Sequence, residues 1–145
     1  MHVSEWMTHP VHTIKPLDTA FHARQRLEEH RINQLPVLAG DRLVGIVTDR
    51  DLRDAFPSVF EMAAHGTRHV DPERVTIESI MSSNLVTIGP ADTLERAATL
   101  MRSERVGALP VVNQGKLVGI LCRSDMMDAF VELAGRAGDG VPNKR

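Results

Sequence analysis

One cysteine, Cys122, stands alone in the 145 residues. It excludes an intramolecular disulfide and fits a reducing compartment. Tyrosine is absent, tryptophan occurs once and phenylalanine four times, too few aromatics to build a base-stacking platform for single-stranded nucleic acid. Neither sign of charge dominates. Seventeen Lys and Arg face nineteen Asp and Glu, the net charge is −2 and the pI about 6.4, so there is no basic footprint for nucleic acid. The local cluster HARQR (22–26) reads as a solvated helix face. No apolar run approaches the roughly 20 residues of a membrane helix. The first residues, MHVSEWMTHPV, lack the basic start and apolar stretch of a secretory leader. A cytoplasmic protein that touches neither membrane nor nucleic acid is expected. Catalytic signatures are missing too: there is no H-E-x-x-H, nucleophile elbow or Walker loop. Seven histidines are scattered without a ligand pattern, so no metal site and no enzyme are expected.

What is present is a repeat. Residues 6–56 and 80–130 align without a gap at an offset of 74, with 19 of 51 pairs identical. The identities fall in islands: MTHPVHTIKPLDT against MSSNLVTIGPADT, RINQLPVL against RVGALPVV, and LVGIVTDRDLRDAF against LVGILCRSDMMDAF. Shared composition does not align islands in register, so this is internal duplication. Each half is too small to bury a generous core alone. The sequence divides into repeat 1 (1–66), a polar linker (67–79), repeat 2 (80–134) and a Gly-rich tail (135–145) expected to be flexible.

Each copy reads as β-α-β-β-α, an α/β fold, with the two copies expected to pack about a pseudo-twofold axis. VHTI (11–14) and LVTI (85–88) are short strands stopped by Pro16 and Pro90. Asp18 and Asp92 are expected N-caps, Asp92 with Glu95 forming a capping box. The helices that follow carry small-residue stripes, Ala20, Ala23 and Leu27 in one and Leu94, Ala97 and Met101 in the other. LPVL and LPVV are strands, AGD (39–41) and NQG (113–115) turns, and RLVGIVT and KLVGILC strands too apolar for a half-wet position. The last helix of each copy starts near Arg50 or Ser124, and FEMAAH (60–65) extends the first. Trp6, Met7, Ile80 and Met81 are expected in core packing, with an interface role as the alternative. Arg31 and Arg105 are expected in ion pairs, a phosphate contact being the alternative.

These motifs, in this order and duplicated, resemble the cystathionine-β-synthase (CBS) domain, and the chain resembles a stand-alone tandem CBS pair over residues 1–134. The DRDLRDAFPS ending is also similar to bacterial proteins named after acetoin utilisation. The resemblance implies two clefts between the repeats that take adenosine compounds (AMP, ADP, ATP or S-adenosylmethionine) as regulatory ligands, with no catalytic cofactor. It implies a homodimer that reports ligand levels to an effector protein. A scaffold whose clefts stand empty is the alternative.

Such a ligand needs a carboxylate for its ribose hydroxyls, an apolar slot with a few main-chain polar groups for its base, and donors for phosphate. In the first repeat the resemblance assigns Asp51 to the ribose and Thr48 to the phosphate, with Arg50 as a further phosphate partner. Thr13, Ile14, Pro16, Leu35, Pro36 and Val37 then form the base slot. In the second repeat Asp125 keeps the carboxylate, Cys122 replaces the hydroxyl, and Arg123 and Ser124 are the compensating candidates. Thr87, Ile88, Leu109, Pro110 and Val111 match the slot. On local grounds alone, Thr48 and Asp51 also read as capping residues with no ligand, and Gly45 reads as a packing glycine. A thiol is a poor donor, so the two sites are expected to bind unequally.

Overall fold

The computed structural model describes residues 1–56 and 71–138. The stretch 60–65, expected to extend a helix, lies outside them. The chain forms two compact units: His12–Leu85, and Met1–Val11 together with Val86–Arg145.

In the His12–Leu85 unit, α2 (Ala20–His30) precedes the hairpin of β1 (Gln34–Ala39) and β2 (Arg42–Thr48), and α3 (Asp49–Ala55) follows without a loop. The short α4 (Ile77–Ile80) closes the unit. The other unit begins with α1 (Val3–Trp6), then takes α5 (Leu94–Glu104), the hairpin of β3 (Ala108–Asn113) and β4 (Lys116–Cys122), and α6 (Arg123–Gly138). Helix α6 therefore runs four residues into the segment expected to be tail. Both hairpins are antiparallel with two-residue turns, Ala39 facing Arg42 and Asn113 facing Lys116. Positive φ at Gly40 (63°), and at Gln114 and Gly115 (51° and 78°), fits the twist such tight turns require. Both ladders slip at one point, after Val37 and after Val111, beside the paired glycines Gly45 and Gly119.

The segments read as first strands are extended but pair through single bridges: Ile14 runs parallel to Val37, and Ile88 to Val111. A proline explains why no ladder forms. Ile14 donates to the Pro36 carbonyl at 3.0 Å and Leu38 donates back to Ile14 at 2.9 Å. The side of Pro36 that faces Ile14 has no N–H to give. The opposite edge of each hairpin is also covered. Ser82 bridges Ile46 in one unit, and Thr8 bridges Ile120 in the other.

The helix caps differ from expectation. Thr19 and Thr93 cap α2 and α5, accepting from the N–H of His22 and Arg96 at 3.1 Å. Asp18 and Asp92 sit one residue earlier and close the preceding turn, accepting from Lys15 N–H at 2.9 Å and Gly89 N–H at 2.8 Å. The T-I-x-P-x-D-T signature thus encodes a closed turn and then a cap. Both helices end on an arginine in the left-handed region, Arg31 at φ 53° and Arg105 at φ 55°. Neither makes an ion pair among the described residues, contrary to expectation. What they share is a backbone position that usually takes glycine.

The cores are built from equivalent positions, Leu52 and Ala129 excepted. One holds Ile14, Ala20, Ala23, Leu27, Leu35, Val37, Val47, Leu52 and Ile77. The other holds Val3, Ile88, Leu94, Ala97, Met101, Leu109, Val111, Leu121 and Ala129. Ile77 and Val3 are 74 apart, yet each completes the core made by the body of the other copy. Trp6 and Met7 pack on the second core, Ile80 and Met81 on the first. Each unit is thus a leading segment of one copy folded onto the body of the other. The glycines make this fit. A Cβ on Gly45 would lie 2.5 Å from the Met81 sulfur, and one on Gly119 2.5 Å from the Met7 sulfur. Gly45 is a packing glycine, as its position in an apolar strand suggested.

Candidate functional site

The informative residues are at the strand-to-helix turn that ends each hairpin. In the first turn, Thr48 and Asp51 bond reciprocally. Asp51 Oδ2 accepts from the Thr48 N–H at 2.9 Å, and Thr48 Oγ1 accepts from the Asp51 N–H at 3.1 Å. This is a capping box, so the capping reading holds. It does not use up the side chains. Thr48 accepts in this bond and keeps its O–H to donate, while Asp51 commits Oδ2 and has no partner on Oδ1 among the described residues. The turn is left with one acceptor and one donor, both half-buried and fixed in place by the cap.

The other assigned residues of the first repeat fall on neighbouring strands. Gln34 pairs with Thr48 and Leu35 with Val47, and the Ile14 segment lies against Pro36–Leu38 on the far edge of β1. Ile14, Leu35, Pro36 and Val37 have fully buried side chains. Their side chains present no open surface, and the main chain of Leu35–Val37 is paired with β2 on one side and with the Ile14 segment on the other. Thr13 is half-buried and gives its carbonyl to the Arg26 guanidinium. Pro16 gives its carbonyl to Glu78 N–H at 2.9 Å. Arg50 is not gathered at the turn. Its exposed side chain extends along α3 to Asp54 at 3.9 Å, as Arg53 does to Asp49 at 3.3 Å.

The second turn keeps the frame and changes its chemistry. Asp125 Oδ2 accepts from the Cys122 N–H at 2.8 Å, matching the first turn. Cys122 is half-buried and supplies sulfur where Thr48 supplies a hydroxyl. Asp125 is engaged a second time: the Thr8 hydroxyl donates to its Oδ1 at 3.1 Å, with Oδ2 at 3.4 Å. Thr8 was not singled out in the sequence. Its only signal is a hydroxyl at both equivalent positions, Thr8 and Ser82, in segments too short to mark a site. Arg123 lies over Gly107. A Cβ there would meet its guanidinium carbon at 3.3 Å, and its N–H donates to the Gly107 carbonyl at 3.2 Å. Ser124 is exposed beside it. Ile88, Leu109, Pro110 and Val111 are buried like their counterparts, while Thr87 is exposed.

Elsewhere, the His12 and His30 rings stack at 3.6 Å. Among the described residues no group of three or more His, Cys, Asp or Glu side chains is placed to hold a metal ion. No helix among them is long and apolar enough to cross a membrane. The Glu5 carboxyl is held below its ordinary value, chiefly by the His2 main-chain N–H at 2.6 Å.

Duplicated hairpin-and-helix units, each ending in a capped carboxylate turn, define a tandem-repeat module with two like but unequal turns. The chain belongs to the CBS domain family, whose model matches residues 3–58 and 77–132. It is 38% identical over 134 residues to a CBS domain-containing protein of Dictyostelium discoideum, covering 90% of this chain and 92% of that one. Among solved structures it is similar to CBSX2 in complex with AMP, at 28% identity and a TM-score of 0.75 over 92% of this chain and 98% of the other. It is also similar to AcuB of Vibrio cholerae, a candidate acetoin utilization protein, at 26% identity and a TM-score of 0.77 over 98% of both chains.

Proposed function

We infer that the protein is a regulatory module that binds an adenosine compound and catalyses nothing itself, with Asp51 as the ribose acceptor of its principal site. The observation that carries this is the division of labour in the Asp51 carboxylate. One oxygen is fixed by the cap and the other is left to accept. A ribose offers two adjacent hydroxyls, and a carboxylate held in one orientation accepts from them without first losing rotamer freedom. The Thr48 O–H supplies a donor for phosphate beside it. The Ile14 and Leu35–Val37 segments are taken as the wall against which the base would lie. The similar AMP complex supports the ligand class. Arg123 and Ser124, with Asp125, are the corresponding groups of the second site.

Calorimetry with AMP, ADP, ATP and S-adenosylmethionine tests this. Saturable heat with at least one of them is expected. A folded protein that binds none of the four removes the sensing function. A cytoplasmic location, a homodimer and an effector protein complete the reading. The reading as an interaction scaffold draws on one feature of α6, where Met127, Phe130, Val131 and Leu133 are exposed along the helix. The same titrations separate the two, since a scaffold with empty sites gives no heat.

A further inference from the structure

The two carboxylates are not equally available, and the difference comes from the leading segment. Resting on the adenosine-binding reading above, we propose that Thr8 is an internal competitor for the second site: its hydroxyl occupies the Asp125 oxygen that a ribose would take, so that the site fills only when this bond is exchanged. The geometry is specific to one copy. Thr8 Oγ1 lies 3.1 Å from Asp125 Oδ1, whereas Ser82, its equivalent, makes no such bond to Asp51 among the described residues. Thr8 is held where it stands, because its N–H donates to the Ile120 carbonyl at 2.8 Å and its carbonyl accepts from Ile120 N–H at 3.0 Å. The Met7 side chain seated at Gly119 fixes the residue before it. The main chain is therefore pinned while the hydroxyl is free to turn. Removing it leaves the frame intact, and a ribose hydroxyl takes over its bond to the carboxylate.

Adenosine itself is the probe, because it has the diol and no phosphate. An Asp51→Asn background isolates the second site. In that background Thr8→Val is expected to tighten adenosine binding about 3- to 10-fold, the worth of one exchanged hydrogen bond. Thr8→Ser, which keeps the hydroxyl, is expected to leave it unchanged. Binding of 2′,3′-dideoxyadenosine is expected not to respond to Thr8→Val. Circular dichroism melting verifies that each variant is folded. If the Asp51→Asn protein binds adenosine equally well or less well after Thr8→Val, the competitor role is overturned while the parent reading stands. If wild type and Thr8→Val bind one of AMP, ADP, ATP and S-adenosylmethionine but not adenosine, the competitor role is overturned while the parent reading stands; if they bind none of these, the parent reading falls and this inference with it.

Discussion

At the scale of single residues, the chain places side chains where their backbone position or their bond partner constrains them. Arg31 and Arg105 adopt positive φ at the ends of α2 and α5, a conformation that costs an L-residue about 1–2 kcal/mol and glycine little. Arg31→Gly and Arg105→Gly should each stabilise the fold by about 0.5–1 kcal/mol, partly offset by the freedom glycine gains when unfolded. Urea denaturation checks this, and a loss of stability would show that the arginine side chains make contacts worth more than their strain. Asp51 and Asp125 were legible in the sequence because a carboxylate three residues after a strand end has few uses: cap, ligand group or both. That Asp51 caps α3 through one oxygen and keeps the other without a partner among the described residues was not legible, because it depends on how the turn folds in space. Thr8 was invisible for a related reason. It meets Asp125 across 117 residues, and no local pattern carries that contact.

At the scale of elements, periodicity located α2, α5 and both hairpins because their apolar spacing has one solution. Ala20, Ala23 and Leu27 can share a face only in a helix, and the close approach they allow fits their burial in the core. The strand-to-helix turns fell within one residue of their expected starts. Sequence reading misplaced the caps by one residue because both Asp and Thr are good caps and the turn before the helix competes for the Asp. It overextended the first strands because Pro36 and Pro110 stop the ladders they would join. The leading segments lie over Gly45 and Gly119, with methionine sulfurs filling the space a Cβ would need. Gly45→Ala and Gly119→Ala should each cost about 1–3 kcal/mol by overpacking. Thermal melting with each variant measures it. Retention of full stability would mean that Met81 and Met7 repack without strain.

At the scale of the whole molecule, the offset of 74 showed which residues are equivalent but not which copy each segment packs with. That partnership rests on burial of Val3 and Ile77, and two equivalent apolar residues cannot announce in sequence which of two similar cores they enter. The exposed apolar stripe on α6, with Phe130 62% and Val131 67% exposed, is the surface to test for self-association, since contiguous apolar patches mark interaction faces. On the homodimer reading proposed above, Phe130→Glu should give a monomer in analytical ultracentrifugation where wild type sediments as a dimer, and a dimer that persists in the variant would place the interface elsewhere. Asp51 is proposed to be a ribose acceptor as well as a cap. The most direct measurement compares AMP binding by calorimetry for wild type and Asp51→Ala, with folding verified by melting. The variant is expected to stay folded while affinity at the principal site falls about 10- to 100-fold, the loss of charge-assisted bonds to the ribose. AMP binding that is unchanged in folded Asp51→Ala would contradict that role.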